Sequence, residues 1–308
     1  MKVWKKSPEK FYGRPKLPKY KPKNGKNVVY FTKLQVRNKE NGVLLTRKMQ
    51  TFGFPLLKTD LQNVKGVRIV PFGDRYNIEL IYDYTPEPLD LNKKNVLAID
   101  LGLTNIVTTS DNCGSTPLII KGGVLKSINQ YYNKKLARFK SFAKKCNNTH
   151  STKRILKFHR KRNNKIRDFF HKTSRKIINH CIVNNIGTIV VGYNKGWKQK
   201  SNIGRKNNQN FVSVPFLKLV QQLEYKGKMV GIDVKRITEE YTSQMCSHCG
   251  IVKKSNRKHR GLYVCSECGL VLNADVNASK NILQKGVPES VWIGDRGLLD
   301  RPAVSNIS

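Results

Sequence analysis

The sequence predicts an α/β fold that follows a small all-β region. Residues 96–99 form a fully apolar strand that ends on Asp100, and residues 186–191 form a second apolar run. Between and after these runs, apolar residues recur at spacings of three and four, which is typical of amphipathic helices. Residues 28–82 instead contain short β-prone runs separated by turn residues. Strands that alternate with helices therefore make up the larger part of the chain.

The first 27 residues form a basic segment with spaced prolines, which disfavour helix and favour extended backbone. Tyr12 and Tyr20 lie among the lysines, and aromatic rings can stack on nucleic-acid bases. A disordered basic tail is the alternative. The candidate nucleic-acid contacts of this segment are Arg14, Lys16 and Lys19.

Residues 28–90 are predicted to form a small β-barrel, with a sandwich as the alternative. The β-prone runs cover residues 28–31, 43–45, 67–70 and 76–82. The last run alternates polar and apolar residues, so that one of its faces is expected to contact solvent. Pro86 and Pro88 then indicate a linker.

Residues 91–245 begin the second domain with three strands in a meander, at 96–99, 106–109 and 118–120. The first strand is apolar on both faces, which suits the centre of a sheet. Two helices follow within residues 124–182. From Lys121 to Lys176 there are 19 Lys and Arg residues and a single acid, Asp168. A solvated face is the ordinary explanation of a charge run, but one so poor in acids favours contact with a nucleic-acid backbone. The candidate contacts are Lys153, Arg154, Lys157, Arg160, Lys161 and Arg162.

The remaining elements complete the order of an RNase H-like domain. A strand at 186–191, a helix from Pro215 to about residue 230 and a strand at 231–238 lead to a four-cysteine segment at 246–268. A last helix within 269–285 begins at Asp275, and the tail at 286–308 is expected to be mobile. Three strands, helices, strand, helix, strand, insert and helix is the order of that fold, although a fold class alone does not establish an activity.

Four cysteines predict a structural zinc site: Cys246, Cys249, Cys265 and Cys268. Each Cys-x-x-Cys turn can place two thiolates on one ion, and a hairpin can bring two such turns together. Disulfides are the less favoured alternative, because the total of seven cysteines is odd and the chain shows no secretory leader. The ribbon-like spacing also argues against a redox site.

The charge balance predicts a nucleic-acid partner. The chain carries 59 Lys and Arg against 20 Asp and Glu, a formal net charge of +39. A polyanion is the natural counter-charge for such a chain. An acidic membrane surface is the competing partner, but no apolar stretch approaches the roughly 18 residues of a spanning helix. We therefore expect no membrane association and a location in a prokaryotic-type cytoplasm, near the nucleoid.

An RNase H-like nuclease needs two or three carboxylates around divalent ions, and Mg²⁺ prefers oxygen ligands. Asp100 ends the central strand, and Asp275 begins the last helix. A strand cap and a helix N-terminal acid are the respective structural alternatives. The fourth strand ends without a carboxylate, so the third acid is Glu239 or Glu240, of which only one can face the site. The sequence pattern leaves this choice open.

Several stretches resemble the TnpB family, the OrfB proteins of insertion-sequence transposons and relatives of type V CRISPR effectors. They lie in family order at residues 13–21 (GRPKLPKYK), 97–105 (LAIDLGLTN), 125–139 (LKSINQYYNKKLARF), 192–199 (GYNKGWKQ), 241–250 (YTSQMCSHCG) and 263–283 (YVCSECGLVLNADVNASKNIL). The resemblance implies a Mg²⁺-dependent, guide-RNA-directed DNA endonuclease with a RuvC-type domain. Its first and last catalytic acids fall on Asp100 and Asp275, its zinc ribbon falls on the four cysteines, and its RNA-holding wedge barrel falls on residues 28–88.

Two departures from the family pattern shape these expectations. Many members carry the second acid at the end of the fourth strand, where this chain has Gly192. A subset with a Gly-Tyr-Asn-Lys sequence supplies a glutamate from just before the Tyr-Thr-Ser motif, which favours Glu239 over Glu240. The family's helical N-terminal part is also longer, so this chain is expected to be short there. A nuclease-inactive, RNA-dependent DNA-binding protein is the alternative function, and a transposase proper ranks third.

Overall fold

The computed structural model describes residues 5–10, 20, 25–194, 196, 204–259, 261–287 and 302–307. The chain divides into two compact units, Met1–Asp83 and Tyr84–Ser308. The candidate contacts Arg14, Lys16 and Lys19 lie outside the described residues, as does most of the basic segment that carries them.

The first unit contains two antiparallel sheets, with strand orders β1-β5-β6 and β2-β3-β4. Apolar residues of both sheets, among them Phe31, Val43 and Val67, form one buried cluster. Within the described residues no strand of one sheet pairs with a strand of the other, so the β-barrel predicted from the sequence is not seen there. The Asn38 side chain and the Val64 backbone connect the two sheets by hydrogen bonds of 3.3 and 3.0 Å. The elements are β1 Val29–Phe31, β2 Arg37–Lys39, β3 Gly42–Leu44, α1 Arg47–Thr51, β4 Leu57–Lys58, β5 Val64–Phe72 and β6 Arg75–Tyr82.

The second unit contains a mixed sheet with the strand order β11-β10-β7-β8-β9-β15. Strand β10 pairs in parallel with β7 and β11, whereas β8 is antiparallel to β7 and β9. This arrangement confirms the predicted α/β fold, and its elements follow one another along the chain in the order predicted for an RNase H-like domain. The strands of this sheet are β7 Val96–Asp100, β8 Asn105–Asp111, β9 Leu118–Lys121, β10 Thr188–Gly192, β11 Asp233–Ile237 and β15 Ala303–Ser305. A separate sheet contains β12 Arg257–His259, β13 Leu262–Val264 and β14 Val271–Leu272.

Helices cover both faces of this sheet. Leu97 and Ile99 pack into the large core formed with α2, α3 and α5, whereas Val96 and Ala98 pack against the last helix, α6. Successive strand residues point to opposite faces, which explains why β7 is apolar throughout. None of the described helices combines the length and the apolar character needed to cross a bilayer. The helices are α2 Gly123–Asn147, α3 Lys153–Val183, α4 Arg205–Ser213, α5 Phe216–Val230 and α6 Ala274–Gly286.

Within the predicted mobile tail at 286–308, the described residues 302–307 contain a strand, β15, at the edge of the sheet. Strand β15 pairs in parallel with β9, and the Ala303 N–H donates to the Pro117 carbonyl at 2.7 Å. Ile307 is buried in the large core. The edge of β9 offers unpaired backbone groups, and Val304 is a β-branched residue that suits the added strand. Three residues are too short a run to stand out by sequence pattern.

Candidate active site and four-cysteine cluster

Asp100 lies at the end of the central strand and belongs to the side of the sheet that α6 covers. It follows Ala98 by two positions, and Ala98 packs against α6. Residues two apart on a strand share a face, so the Asp100 side chain extends toward α6. Asp100 is half-buried, at the end of a strand that is otherwise fully buried.

Asp275 lies in the first turn of α6, where a carboxylate is stabilised by the helix dipole. The helix is capped by the Asn273 side chain, whose Oδ1 accepts hydrogen bonds from the backbone N–H groups of Asp275 and Val276 at 2.9 and 3.3 Å. The two carboxylate oxygens of Asp275 accept from Asn105 Nδ2 at 2.7 Å and from Arg257 Nη2 at 2.9 Å. Both oxygens of this acid are therefore held in fixed positions.

Glu239 occupies the space that the missing side chain of Gly192 leaves at the end of β10. A Cβ placed on Gly192 would lie 2.5 Å from Glu239 Oε1 and 2.7 Å from Ile282 Cδ1. The backbone N–H of Glu239 donates to Asn194 Oδ1 at 3.1 Å, which ties the loop after β11 to the loop after β10. Glu240 is exposed. Of the two candidate glutamates, the structure brings only Glu239 to this position.

Two of the candidate acids, Asp100 and Glu239, have raised pKa values. Burial, and then the nearby charge of Asp275, raise the pKa of Asp100 to about 7, although the Arg257 cation opposes this. Burial, and then the charge of Asp100, raise the pKa of Glu239 to about 8. Close carboxylates with elevated pKa values are typical of functional sites, where a cation can relieve the repulsion.

The donor set fits a hard divalent cation. The Oε1 atom of Glu239 is buried and accepts no hydrogen bond from the described residues. A buried carboxylate oxygen without a partner is costly unless a cation or water binds it. Carboxylate oxygens are also the ligands that Mg²⁺ prefers. Among the described residues, however, the four cysteines are the one group of three or more ligand side chains close enough to hold a single ion. Magnesium at Asp100, Glu239 and Asp275 therefore stays a prediction.

The four predicted cysteines lie together. Their sulfur atoms are all within 4.8 Å of one another, and the Cys246–Cys268 and Cys249–Cys265 sulfur pairs are 3.7 and 3.5 Å apart. These separations are too long for disulfides and close to the roughly 3.8 Å expected for thiolates around a tetrahedral zinc ion. The two Cys-x-x-Cys segments form the same kind of turn. In each one, the N–H of a glycine with positive φ, Gly250 or Gly269, donates to the carbonyl of the first cysteine, Cys246 or Cys265. The cluster is compatible with the predicted zinc ribbon.

Hydrogen bonds connect the cysteine segment to α6, the helix that carries Asp275. Asn277 Oδ1 accepts from the Ser247 N–H at 2.9 Å, and the Asn277 and Asn281 amides both donate to the Met245 carbonyl at 2.7 Å. Both asparagines are fully buried. Arg257, on β12 of the ribbon, completes the connection through its hydrogen bond to Asp275.

The predicted basic contacts on α3 divide into two groups. Arg154 stacks over the Phe139 ring at 4.6 Å, and Arg162 donates to Asn129 Oδ1 and to the Ser213 carbonyl. These two guanidinium groups support the packing of the helices. The ammonium-bearing residues Lys153, Lys157 and Lys161 are exposed, whereas Arg160 is half-buried.

Three polar residues at the site were not predicted from the sequence: Asn105, Asn194 and Arg257. Each one touches a candidate acid through a single hydrogen bond formed across a long sequence separation. Asn105 and Asn194 lie inside the motifs quoted for the family resemblance, which was the available signal. Arg257 lies outside them, in a lysine-rich run where one arginine does not stand out.

Two protein-family models match the chain. A model described as a probable transposase, OrfB_IS605, matches residues 79–198, and a Cas12f1-like TNB domain model matches residues 216–282. Together they cover both the sheet with its basic helices and the cysteine segment with α6.

Curated proteins with similar sequences include three of particular interest. The CRISPR-associated endodeoxyribonuclease Cas12f1 of Sulfoacidibacillus thermotolerans is 28% identical over 71% of this chain and 53% of its own length. The TnpB-like protein L79 of Acanthamoeba polyphaga mimivirus is 29% identical over 66% of this chain and 39% of its own. The putative RNA-guided DNA endonuclease InsQ of Escherichia coli K12 is 28% identical over 62% and 49%, respectively. This chain thus spans about half the length of these relatives. The resemblance predicted from the sequence is confirmed.

Proposed function

We propose, on the premise that this chain is a relative of the TnpB-like and Cas12f1 proteins, that it is an RNA-guided DNA endonuclease. It would hydrolyse phosphodiester bonds with magnesium at Asp100, Glu239 and Asp275. Relatives of this chain are named as endodeoxyribonucleases and as a putative RNA-guided DNA endonuclease, which supports the reaction and the partners. The partners would be a guide RNA and a target DNA.

The position of Glu239 carries the proposal. A relative without its second acid would bind DNA without cutting it, and Gly192 stands where many family members have that acid. The Glu239 carboxylate lies in the space above Gly192, beside Asp100, with a buried oxygen that no described residue satisfies. A buried carboxyl oxygen without a hydrogen-bond partner is destabilising, which supports a role for Glu239 beyond stability.

The remaining polar groups would orient the carboxylates. Asn105 and Arg257 fix the two oxygens of Asp275, and Asn194 fixes the loop that presents Glu239. When bound, magnesium would supply activation of a water molecule and stabilisation of the developing phosphate charge. The Arg257 guanidinium, which donates to Asp275 through Nη2, has further N–H donors that would contact a DNA phosphate.

The cysteine cluster would hold a structural zinc ion and act as a brace rather than as a second active centre. Four thiolates close a tetrahedral site and leave no open position for substrate. The ribbon contacts α6 through Asn277 and Asn281, so an intact ribbon would keep Asp275 in place. The exposed lysines of α3 would contact nucleic-acid phosphates.

A cleavage assay with matched DNA tests the function. The full chain would be purified with its co-bound RNA, that RNA would be sequenced, and a DNA that matches its guide would be supplied with Mg²⁺. We expect the matched DNA to be cut, a mismatched DNA to remain intact, and Asp275→Asn to bind the matched DNA without cutting it. Binding without cutting by the unaltered chain would contradict the nuclease proposal and favour a DNA-binding protein.

A further inference from the structure

The basic helices α2 and α3 enclose a cavity of about 630 Å³ whose walls are aromatic and whose rim is cationic. Tyr131, Tyr132, Phe139 and Phe158 line it, together with Lys161 and Lys165. We call this feature the aromatic groove. The proposed chemistry at the three carboxylates does not use it.

The rings of the aromatic groove differ in how completely they are used for packing. Tyr132 and Phe158 lie nearly parallel, with ring centres 5.4 Å apart, and Phe139 meets Phe158 edge-on at 5.3 Å. These three rings hold the two helices together. Tyr131 contacts Phe158 only at an edge, with centres 6.1 Å apart, and is 59% exposed. Its ring is accessible at the mouth of the groove, where the Lys135 ammonium lies 5.9 Å from the ring centre.

The charges around the aromatic groove restrict what can occupy it. Lys161 and Lys165 are exposed at its rim, and Asp168 is the only acid between Lys121 and Lys176. A second copy of this chain carries the same net charge of +39 and would be repelled. A ligand with a flat apolar face and attached negative charge matches both features, and an unpaired nucleotide has both.

Contacts connect the base of the groove to the candidate active site. Lys126, in the first turn of α2, donates to Thr104 Oγ1 at 2.9 Å, and the adjacent Asn105 donates to Asp275 Oδ2 at 2.7 Å. Ser127 and Ile128, which directly follow Lys126, line the groove. Lys126 and Thr104 thus connect the chain segment that lines the groove to the residue next to Asn105, which holds Asp275 Oδ2.

We propose that the aromatic groove binds an unpaired base of the DNA strand that is led to the carboxylates. The base would stack on Tyr131, and Lys161 and Lys165 would contact the flanking phosphates. This inference rests on the proposed function, because proximity to the cutting site is what selects the DNA strand over RNA. Stacking on an aromatic ring tolerates any base, which suits a nuclease whose sequence choice comes from a guide.

Abasic DNA provides the test, because it keeps the phosphates and removes the bases. The RNA-bound chain with Asp275→Asn would be titrated with labelled single-stranded thymidine DNA, with abasic DNA of the same length and with the matching RNA. We expect the base-bearing DNA to bind about 10-fold more tightly than abasic DNA, as stacking of one base allows. Tyr131→Ala would remove most of this difference, and Tyr131→Phe would retain it.

Two control variants separate stacking from charge. Tyr84→Ala removes another exposed tyrosine, 56% exposed and outside the groove, and should leave the difference intact. Lys161→Gln should weaken the binding of both DNAs by the same factor. Equal affinity of the two DNAs, an equal loss for both in Tyr131→Ala, or a base dependence confined to RNA would each overturn the inference. Cleavage is measured separately, with chains that keep Asp275. Failure of the nuclease proposal would appear in that assay, whereas failure of the groove proposal would appear in the binding titration.

Discussion

At the residue scale, Gly192 and Glu239 explain how the site can keep three acids although its fourth strand ends without one. Only a residue without a Cβ at position 192 leaves room for the Glu239 carboxylate beside Asp100. The sequence pattern could not decide between Glu239 and Glu240, because β11 ends at Ile237 and both glutamates follow in a loop. Strand alternation does not apply there, and the position of Glu239 depends on a hydrogen bond to Asn194.

Substitution of Gly192 should therefore remove activity without removing any acid. In Gly192→Ala the new methyl group would displace the Glu239 carboxylate and press on Ile282, and we expect cleavage to fall at least about 10-fold, which corresponds to ~1.4 kcal/mol in the barrier. Gly123→Ala is the matched control, since nothing lies within 4 Å of its Cβ position. Cleavage rates and melting temperatures of both variants check this. Full activity of Gly192→Ala would contradict the placement of Glu239.

The raised pKa values of Asp100 and Glu239 predict a pH-dependent stability. Both values, about 7 and about 8, lie above the ordinary values of 3.8 and 4.5, so the folded state binds protons more tightly than the unfolded state. Their contribution to stability is complete below about pH 4 and is lost as the pH rises through about 7 to 8. The melting temperature of the metal-free protein should therefore fall between about pH 5 and pH 8.

Two glutamate variants and added magnesium test the source of this pH dependence. Glu239→Gln should flatten the decrease in melting temperature and raise the stability at pH 8, whereas Glu240→Gln should change neither. Magnesium should raise the melting temperature of the unaltered chain at pH 8. A decrease that is the same in all three proteins would show that other groups cause it.

At the scale of elements, buried asparagines of α6 join this helix to the four-cysteine ribbon by hydrogen bonds. The cysteine spacing was sufficient to predict the cluster, because each pair forms its own local turn. The contacts of Asn277 and Asn281 with the ribbon, and the pairing of β15 with β9, were not predictable. They depend on segments brought together by the tertiary fold, and no local periodicity marks them.

Loss of the predicted zinc should therefore disturb Asp275 as well as the ribbon. We expect about one zinc per chain by elemental analysis, a lower melting temperature after chelation, and faster proteolysis within residues 246–268. Cys265→Ser should reproduce these effects and reduce cleavage, whereas Cys146→Ser, which alters an exposed cysteine outside the cluster, should not. A zinc content well below one per chain, with unchanged stability, would contradict the ribbon.

At the scale of the whole molecule, the net charge of +39 favours the binding of a polyanion. Composition alone was enough to predict the nucleic-acid partner. It could not show which cations are accessible. The half-buried Arg162 guanidinium contacts the Tyr132 ring and donates to Asn129, whereas Arg154, which stacks on Phe139, is exposed. The exposed lysines of α3 and Arg154 form the cationic surface.

Salt dependence measures how many of these lysines contact phosphates. Replacing Lys153, Lys157 and Lys161 with Gln should weaken binding to duplex DNA and lower the slope of log affinity against log salt by about 2 to 3. Lys228→Gln, an exposed lysine on α5, should change that slope little. An unchanged slope in the triple variant would exclude α3 from the nucleic-acid interface.

The most direct test of the central claim compares two neighbouring glutamates in the cleavage of guide-matched DNA. We expect Glu239→Gln to abolish cutting while RNA and DNA binding persist, and Glu240→Gln to cut at the rate of the unaltered chain. Cutting that survives Glu239→Gln but is lost in Glu240→Gln would contradict the assignment of Glu239 to the site.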